Sequence, residues 1–466
     1  MDYKKELKMN RKMTDVITEV ILSSTGHGFP NIIKSTNISI KLMWIFFTAM
    51  SAGACGYMIT ESIINYSNYG VTTKTRILNE NEPFFPTVTI CNVNYFTSDL
   101  ATKWIENYTF LYNYTNPLTN NFINEAISQS YKPVYQDIRE AFGDSLQKLI
   151  VYCRFKSENC NHSQFEYFSH AHYGNCYQFN SGPKNLLTLI STEKEYGLRL
   201  VLNVSMHKDL KFMNPNLGAV VLIHNHTTYP SMVDPIAVSP KTETNIALSR
   251  TFYESQSKPF SKCDGKTNDV NSYDSEYYKI VHENTKGYSQ TLCIYQCIQK
   301  FFIDECKCYV ANFPCLYHSK SCNFFDDFNC SLQASTKLSE IDLINKECME
   351  KCPLECEGMW FDKTISFSQF SNPMYEQSLS NYQGLDYVYS NKSVNSEDLA
   401  VVNIFYRNLG YVSITESPTT TVVSLFSNIG GIAGLFLGIS VLTLVEVIEV
   451  LMKIIFIFKN KNKING

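Results

Sequence analysis

The sequence lacks the motifs on which most enzymes depend. It has no glycine-rich loop suited to phosphate, no pair of carboxylates placed for acid–base catalysis, and no basic, aromatic patch that would indicate nucleic-acid binding. His224 and His226 alternate as two metal ligands could, but the pattern offers no third ligand for zinc. We therefore expect a protein that is not an enzyme and that holds no metal or cofactor.

Charge is missing from two stretches of the chain. Residues 42 to 60 carry no charged side chain between Lys41 and Glu61, and residues 417 to 445 carry none before Glu446. Both stretches are long enough to cross a bilayer, which takes about 20 apolar residues as a helix. Because no cleavable signal peptide is recognisable ahead of the first stretch, we expect it to remain as a signal anchor.

Basic residues flank both stretches. Those before the first are Lys4, Lys5, Lys8, Arg11, Lys12, Lys34 and Lys41, and those after the second are Lys453, Lys459, Lys461 and Lys463. Cytoplasmic flanks are rich in Lys and Arg, so both termini are predicted to be cytoplasmic at the plasma membrane. The predicted organisation is a cytoplasmic N-terminus (1–41), a transmembrane helix (42–64), an extracellular domain (65–416), a second transmembrane helix (417–452) and a cytoplasmic C-terminus (453–466).

Small residues are unusually dense in the second stretch. They are Gly430, Gly431, Gly434, Gly438 and Ser440, and two acidic residues follow, Glu446 and Glu449. A helix that only anchors a protein in lipid gains nothing from so many glycines, whereas close helix packing or a pore needs them. Carboxylates at the membrane edge are costly enough to be functional candidates. We interpret this segment as a pore-lining helix.

The long region between the two stretches holds 15 of the 16 cysteines, as expected outside the cell, and Cys55 is the exception. Seven glycosylation sequons agree with that placement: Asn107, Asn113, Asn161, Asn203, Asn225, Asn329 and Asn391. Strands are predicted for residues 84–91, 196–206, 217–224 and 401–414, the first at a sheet edge or strand start because it encloses Pro86. The region is therefore predicted to be one disulfide-rich α+β domain.

Cysteine spacing predicts a ladder of crosslinks. Cys293 and Cys297 are four residues apart, as are Cys348, Cys352 and Cys356, so on helices each set would share a face. In an antiparallel pair, Cys293 with Cys352 and Cys297 with Cys348 then satisfy the geometry, and Cys263 would take Cys356. Cys153 with Cys160 would close a short loop. A zinc cluster or another pairing remains the alternative, because sequence does not fix connectivity.

Several motifs together resemble those of one superfamily of channels. His27-Gly28 precedes the first stretch, residues 85–92 read Phe-Pro-Thr-Val-Thr-Ile-Cys-Asn, and Gly438-Ile439-Ser440 lies in the second stretch. In this order they resemble the gating motif, the post-membrane signature and the selectivity filter of the degenerin/epithelial sodium channel/acid-sensing ion channel superfamily. Within it, the chain looks most like the peptide-gated, RFamide-type sodium channel branch.

The resemblance implies a trimer, with itself or with related subunits, in which the second helix of each subunit lines a sodium-permeable pore through lipid. Gly438, Ile439 and Ser440 would form the filter, and Glu446 and Glu449 would add negative potential at its inner mouth. Ser427 matches the position where added bulk holds family channels open, and Gly434 matches the amiloride contact. His27 and Gly28 would act in gating.

The family framework also implies disulfide pairs. They are Cys91 with Cys176, Cys153 with Cys160, Cys263 with Cys356, Cys293 with Cys352, Cys297 with Cys348, Cys306 with Cys330, and Cys308 with Cys322. Cys315 is left over, and this departure puts the pairing among its neighbours in doubt.

The gating stimulus is inferred from what the chain lacks and from the resemblance. Acid-sensing members carry a histidine shortly after the first span, where this chain reads Asn68-Tyr69-Gly70-Val71, so proton gating is disfavoured. The resemblance implies a short amidated neuropeptide as ligand, which acidic and aromatic surfaces would bind. Proton or mechanical gating within the family is the alternative.

Three other classes of protein share some of these features. An ATP-gated trimeric receptor channel would need a basic cluster for the triphosphate, and a two-span ecto-enzyme would need catalytic motifs. An adhesion receptor would explain the cysteines and sequons, but it leaves the glycines of the second stretch unexplained.

Overall fold

The computed structural model describes residues 22, 28–111, 120–131, 138–182, 186–210, 216–311, 313–322, 327–342, 344–370, 374, 377, 396–443, 445–446, 448–449, 451–452 and 455. They belong to two compact units. The first unit comprises the residues up to Thr72 and those from Ser417 onward, and the second is Thr73–Glu416. His27, Asn113 and Asn391 lie outside the described residues.

The first unit is helical. It contains α1 (Phe29–Lys34), α2 (Ile38–Ser67) and α10 (Val422–Leu437). Helix α2 begins at Asn37, whose side chain accepts a hydrogen bond from the Ser39 amide at 3.1 Å. Among the described residues, α2 is the one helix long and apolar enough to cross a membrane by length and composition. Helix α10 is also apolar but has 16 residues.

The second unit combines helices and strands. Its helices are α3 (Asp99–Leu111), α4 (Asn120–Ser130), α5 (Leu146–Leu149), α6 (Glu276–Asn284), α7 (Gln290–Cys306), α8 (Phe328–Ile341) and α9 (Met349–Lys351), with a π-helical turn at Ile344–Cys348. Its strands are β1 (Val71–Leu78), β2 (Thr87–Asn92), β3 (Ile150–Phe155), β4 (Glu158–Asn159), β5 (Phe165–His170), β6 (Gly174–Phe179), β7 (Leu198–Asn203), β8 (Ala219–His224), β9 (Ile236–Val238), β10 (Thr242–Glu254), β11 (Cys263–Asp264), β12 (Leu354–Glu355), β13 (Glu357–Gln369) and β14 (Leu399–Pro418).

The strands form two larger sheets and a small one. The larger sheet has the order β13-β10-β14-β7-β3-β4, and β1 also pairs with β14. A five-stranded antiparallel sheet has the order β5-β6-β2-β8-β9, and β11 pairs with β12. Strand β10 is antiparallel to β13 and parallel to β14, so the larger sheet is mixed. The prediction of an α+β arrangement is therefore confirmed for this unit.

Strand β2 distinguishes the two alternatives that Pro86 left open. The edge position is wrong, because β2 lies at the centre of the five-stranded sheet, whereas the proline does mark the start of the strand. The strand begins at Thr87, directly after Pro86, so the proline lies outside the ladder and its missing N–H costs no ladder bond. Phe85 lies in the core, where its ring contacts those of Phe155 and Tyr406 at 5.0 and 6.2 Å between centroids.

Seven disulfides crosslink the second unit. They join Cys91–Cys176, Cys153–Cys160, Cys263–Cys356, Cys293–Cys352, Cys297–Cys348, Cys306–Cys330 and Cys308–Cys322. These are the pairs that the resemblance implies.

The expectation that Cys348, Cys352 and Cys356 share one helical face is wrong. Helical structure ends at Lys351, the backbone is extended at Cys352, and Cys356 lies between β12 and β13. Pro353 explains the end of the helix, because the residue before a proline is disfavoured in the α conformation.

Candidate pore segment

Helix α10 starts at a local cap and presents small residues. The Thr421 hydroxyl accepts a hydrogen bond from the Ser424 amide at 3.1 Å. A Cβ atom built on Gly430 or Gly431 would meet nothing within 4 Å. Packing within this chain therefore does not require glycine at either position, and both leave backbone open to approach by another helix or by solvent.

The helix ends at Gly438. This residue has φ 66° and ψ 22°, in the left-handed region that glycine adopts without steric cost. The amides of Gly438 and Ile439 turn back to the carbonyls of Gly434 and Ala433, at 3.0 and 3.3 Å. Residues 438–440 are not helical, so Gly438-Ile439-Ser440 forms a break in the apolar segment.

Helical structure resumes after Ser440 through a reciprocal cap. The Ser440 amide donates to the Thr443 hydroxyl at 3.1 Å, and the Thr443 amide donates to the Ser440 hydroxyl at 3.4 Å. This arrangement satisfies amides that would otherwise be unpaired at the start of a helix. Sequence reasoning identified Ser440 but missed Thr443, although Ser-x-x-Thr has the spacing of a helix cap.

The other predicted pore residues lie along the same segment. Ser427 is exposed on α10, 11 residues before Gly438 and thus about 16 Å away along a helix axis. A Cβ on Gly434 would lie 3.6 Å from the Ile439 carbonyl oxygen, an ordinary contact. Glu446 is half-buried and Glu449 is exposed, both at helical positions after the break. The structure therefore brings Gly434 next to the break and leaves Ser427 and the two glutamates on opposite sides of it.

Gly28 has a structural reason to be glycine. Its φ is +97°, and a Cβ there would clash with the Thr48 hydroxyl of α2. The Ile32 amide donates to the Gly28 carbonyl at 3.0 Å, so Gly28 caps α1.

Hydrogen bonds join the two chain segments of the first unit where α2 ends and α10 approaches. The Thr419 amide donates to the Gly70 carbonyl at 2.9 Å. The hydroxyls of Thr72 and Thr419 lie 3.3 Å apart, and the Ser417 hydroxyl donates to the Thr72 carbonyl at 3.4 Å. Sequence reasoning missed this junction, although Ser417 and the three threonines at 419–421 mark it.

Arg250 is a second residue that sequence reasoning missed. It is buried in β10 and donates to Glu80 and to the Leu409 carbonyl, both at 2.7 Å. Its guanidinium lies 5.2 Å from the Tyr406 ring and 5.6 Å from the Tyr411 ring. The pairing of β10 with β14 shifts register at this point, so Arg250 fills the irregularity with charge-assisted bonds.

The alternating histidines bind strand hydroxyls. His224 Nε2 lies 2.8 Å from the Thr89 hydroxyl, and His226 Nδ1 lies 3.0 Å from the Thr87 hydroxyl. Burial lowers the pKa of His224 to about 4, so its ring is neutral at physiological pH. In the part of the chain that the structure describes, no three ligand side chains converge on a possible metal position.

Five of the seven sequons lie on described residues. Asn107, Asn161 and Asn329 are exposed. Asn203 and Asn225 are half-buried, and their side-chain oxygens accept hydrogen bonds from the amides of Ser205 and His226, at 3.0 and 2.8 Å. The first three are therefore the more accessible asparagines.

Cys315 has no disulfide. Its Sγ donates weakly to the Tyr317 carbonyl at 3.7 Å, and burial raises the pKa of the thiol to about 11. A thiol with so high a pKa is almost entirely protonated at neutral pH, so it is a poor nucleophile.

Comparisons with known proteins place the chain among channels. The sequence model of the family described as amiloride-sensitive sodium channel matches residues 21–450. The gamma subunit of the epithelial sodium channel of Rattus norvegicus is 31% identical over 314 residues, which are 66% of this chain and 46% of the relative. The gamma subunit of Neoceratodus forsteri is 30% identical over 319 residues, with the same coverage.

A beta subunit and a solved structure were also found. The epithelial sodium channel beta subunit of Rattus norvegicus is 26% identical over 378 residues, 79% of this chain and 55% of the relative. The chain spans about half the length of the curated relatives it matches. A solved proton-activated chloride channel aligns at a TM-score of 0.32 and 6% identity, too low to support an argument. The family match covers most of this chain, which therefore belongs to the amiloride-sensitive sodium channel family, whose members are ion channels and not enzymes.

Proposed function

We propose that this chain is a subunit of a sodium-permeable cation channel of the plasma membrane, in which residues 417–452 line the pore. The observation that carries the proposal is the break at Gly438-Ile439-Ser440 inside an otherwise apolar helical segment. The predicted topology, with the first span at 42–64, the domain 65–416 outside and both termini in the cytoplasm, is part of the proposal.

A helix break at membrane depth has a physical consequence. Backbone that is not helical leaves carbonyl groups without partners, and in a bilayer this is tolerated only inside protein or beside a water-filled cavity. Carbonyl oxygens that face such a cavity favour cations. Gly438 allows the break, and the Ser440–Thr443 cap restarts the helix beyond it. We therefore assign the selectivity filter to Gly438, Ile439 and Ser440.

A trimer, homomeric or with related subunits, is supported by surfaces that this chain leaves uncovered. None of the residues of α10 is buried, and Leu435, three residues before the break, is 78% exposed. Gly430 and Gly431 meet no side chain of this chain. Small residues let helix backbones approach closely in lipid, so these positions fit contacts with copies or relatives of α10.

The remaining predicted residues receive their roles within this pore. Glu446 and Glu449 would concentrate cations below the filter. Gly434 would contact amiloride beside the break, and Ser427 would lie near the outer gate. His27 and Gly28 would act in gating, a role for which the close approach of Gly28 to α2 gives support. The seven sequons would carry glycans outside the cell.

We propose a short neuropeptide as the stimulus in preference to protons or mechanical force. The absence of histidine at residues 68–71 argues against proton gating, since no imidazole titrates there near neutral pH. The chain would then be a ligand-gated member of its family.

Voltage clamp of cells that express the full chain tests the conduction proposal. We expect an inward current that disappears when external sodium is replaced by N-methyl-D-glucamine and that amiloride blocks. Co-expression with epithelial sodium channel beta and gamma subunits provides the heteromeric condition. An unchanged background current in both conditions, despite protein at the cell surface, would contradict the proposal.

A further inference from the structure

The second unit (Thr73–Glu416), here called the extracellular unit, contains a cavity of about 810 Å³ that no predicted site uses. One wall is formed by the ends of β10, β13 and β14, which contribute Glu254, Glu357 and Thr415. The opposite wall is formed by the end of α6 and the start of α7, which contribute His282 and Gln290. This volume lies in the range of small-molecule and peptide-end sites.

Three glutamates line the cavity, and two of them face each other. Glu254 and Glu357 are directly opposed in the antiparallel β10–β13 ladder. Like charges at directly opposed positions destabilise a sheet unless something neutralises them. Within the described parts of the chain, Glu254, Glu355 and Glu357 have no ion-pair partner. No ion pair within the described residues therefore neutralises these three carboxylates.

Among the described residues, the one lysine that lines the cavity does not neutralise the negative charge of these glutamates. Lys286 lines the cavity, but its ammonium binds the Glu166 carboxylate at 2.8 Å. The lining also includes Asp264, whose pKa is lowered by a hydrogen bond from Tyr273. The ionised form of Asp264 is therefore favoured, and the nearby Lys258 and Lys266 offset part of its negative charge.

Glu355 is the most sheltered of these carboxylates. Its Oε1 accepts a hydrogen bond from the Gln290 amide at 2.8 Å, at the first turn of α7. Burial raises the pKa of Glu355, because a carboxylate away from water is less well solvated. A cation placed beside the Glu355 carboxylate would stabilise its charge in place of water. The attraction between the two would be stronger than at an exposed carboxylate.

Aromatic and apolar groups supply the rest of the surface. Phe252, Tyr288, Leu354 and Met359 line the cavity. The Tyr288 hydroxyl donates to the Pro353 carbonyl at 2.8 Å, which fixes this ring at the wall. Aromatic faces attract guanidinium and ammonium groups, and apolar groups bury the hydrocarbon next to them.

The arrangement suits an organic cation better than a metal ion. No group of three or more acidic, histidine or cysteine side chains is close enough to hold a metal among the described residues. The carboxylates are instead spread around a volume that aromatic groups share.

We propose that this cavity binds the basic, aromatic end of a peptide, with a guanidinium between Glu254, Glu355 and Glu357 and an aromatic ring against Phe252 and Tyr288. This inference rests on the proposed ligand gating and names its site. Ser413–Thr415 of β14 belong to the wall, and this strand leads within six residues to the Thr421 cap of α10 (415 to 421). A ligand there would act on the segment that enters the pore helix.

Calorimetric titration of the purified full chain in lipid nanodiscs tests the site without any current. The probe is Arg-Phe-amide, and citrulline-Phe-amide is the neutral control of almost the same shape. We expect saturable binding of the first and roughly tenfold weaker binding of the second, because a charge-assisted pair is lost.

Variants locate the binding. Glu357→Gln and Glu355→Gln should each weaken Arg-Phe-amide by roughly tenfold, and glutamine can still accept the Gln290 hydrogen bond in the second variant. Glu283→Gln is the matched control, since Glu283 is an exposed carboxylate of α6 that does not line the cavity. It should bind as the unmodified chain does.

Absence of saturable binding, or equal affinity in all three variants, would overturn the assignment. Equal thermal unfolding midpoints show that a weakened variant is folded. A chain that conducts sodium but fails to bind the probe contradicts the cavity alone, whereas one that binds the probe and never conducts contradicts the channel proposal.

Discussion

The two units of this chain are specified in different ways. In the extracellular unit, 14 of 15 cysteines are crosslinked, and core residues such as Phe85, Leu200 and Ile404 are fully buried. In α2, Cys55 is the one buried residue, and α10 has none. The first pattern encodes an interior within one chain. The second is consistent with the proposal that these helices face lipid and other subunits.

The difference follows from the solvent that each unit meets. In water, burial of apolar groups drives folding, and the extracellular unit accordingly buries large side chains such as Phe85, Phe179 and Tyr278 completely. In lipid, apolar groups gain nothing from burial, and small residues that permit close backbone approach determine packing. The glycines of α10 therefore suit close approach of helices in lipid, whereas the leucines of β7 suit burial in a protein interior.

Among changes in the first unit, replacement of Gly438 should reduce the sodium current most. Gly438→Ala forces a Cβ into left-handed backbone, at a cost of roughly 1–2 kcal/mol in each subunit. Because the break would then be strained in every subunit, we expect more than about tenfold loss of sodium current at equal surface expression. Gly53→Ala is the control, since a Cβ on Gly53 meets nothing within 4 Å. Equal currents for the two variants would show that the break is not the filter.

Loss of one crosslink should affect the extracellular unit most. The Cys297–Cys348 bridge closes a sequence separation of 51 residues. The chain-entropy model gives about 4 kcal/mol for a loop of this size, so Cys297→Ser with Cys348→Ser should reduce surface expression or opening. Cell-surface biotinylation and current measure the two effects. Cys315→Ser removes a cysteine without a bridge and should leave both unchanged; normal currents in the double variant would contradict the role of the ladder.

Acid should destabilise the extracellular unit through buried histidine. The pKa of His224 is lowered to about 4 by burial, against about 6.5 when unfolded. The unfolded chain binds the proton first, so stability falls as pH drops from 6.5 towards 4, by roughly 3 kcal/mol from this group. Denaturant unfolding of His224→Gln should show a shallower decline over that window. The exposed His318→Gln should keep the original slope, and parallel curves for all three proteins would refute the assignment.

Gly28 should show the smallest effect of the series. A Cβ at this position meets the Thr48 hydroxyl and also requires an unfavourable φ. Gly28→Ala should therefore reduce current several-fold, and Thr48→Ala in the same chain should restore part of the loss by removing the closest atom. Currents that do not respond to Thr48→Ala would assign the whole effect to backbone conformation, and an unchanged Gly28→Ala current would remove Gly28 from gating.

Periodicity and composition predicted the elements whose local pattern is strong. Strands β7 and β8 fall within predicted segments, and β14 contains the segment predicted at 401–414 but extends beyond both of its ends. The cysteines of α7 lie on a helix as their spacing indicated. The first apolar stretch is part of a helix that extends beyond both predicted ends, to Ile38 and Ser67. These elements were predictable because each one buries or exposes a regular face.

Long-range features were not predictable from one sequence. The central position of β2 depends on β6 and β8, which lie about 80 to 130 residues away in the chain. Arg250 meets Glu80 across 170 residues and fills an irregularity of β14 that no local pattern marks. The filter position of Gly438 was anticipated from the resemblance, whereas the Ser440–Thr443 cap that restarts the helix was missed although its spacing is local.

Voltage clamp of Ser427→Phe is the most direct test of the central claim, that α10 and the Gly438 break line a sodium pore. Ser427 is exposed on α10 and precedes the break in the chain. A bulky side chain at this position should hold the gate open. We predict a standing sodium current that amiloride blocks, with or without co-expressed related subunits, and no such current from Ser424→Phe at the helix start. If Ser427→Phe reaches the cell surface and carries no sodium current in either condition, α10 does not line the pore.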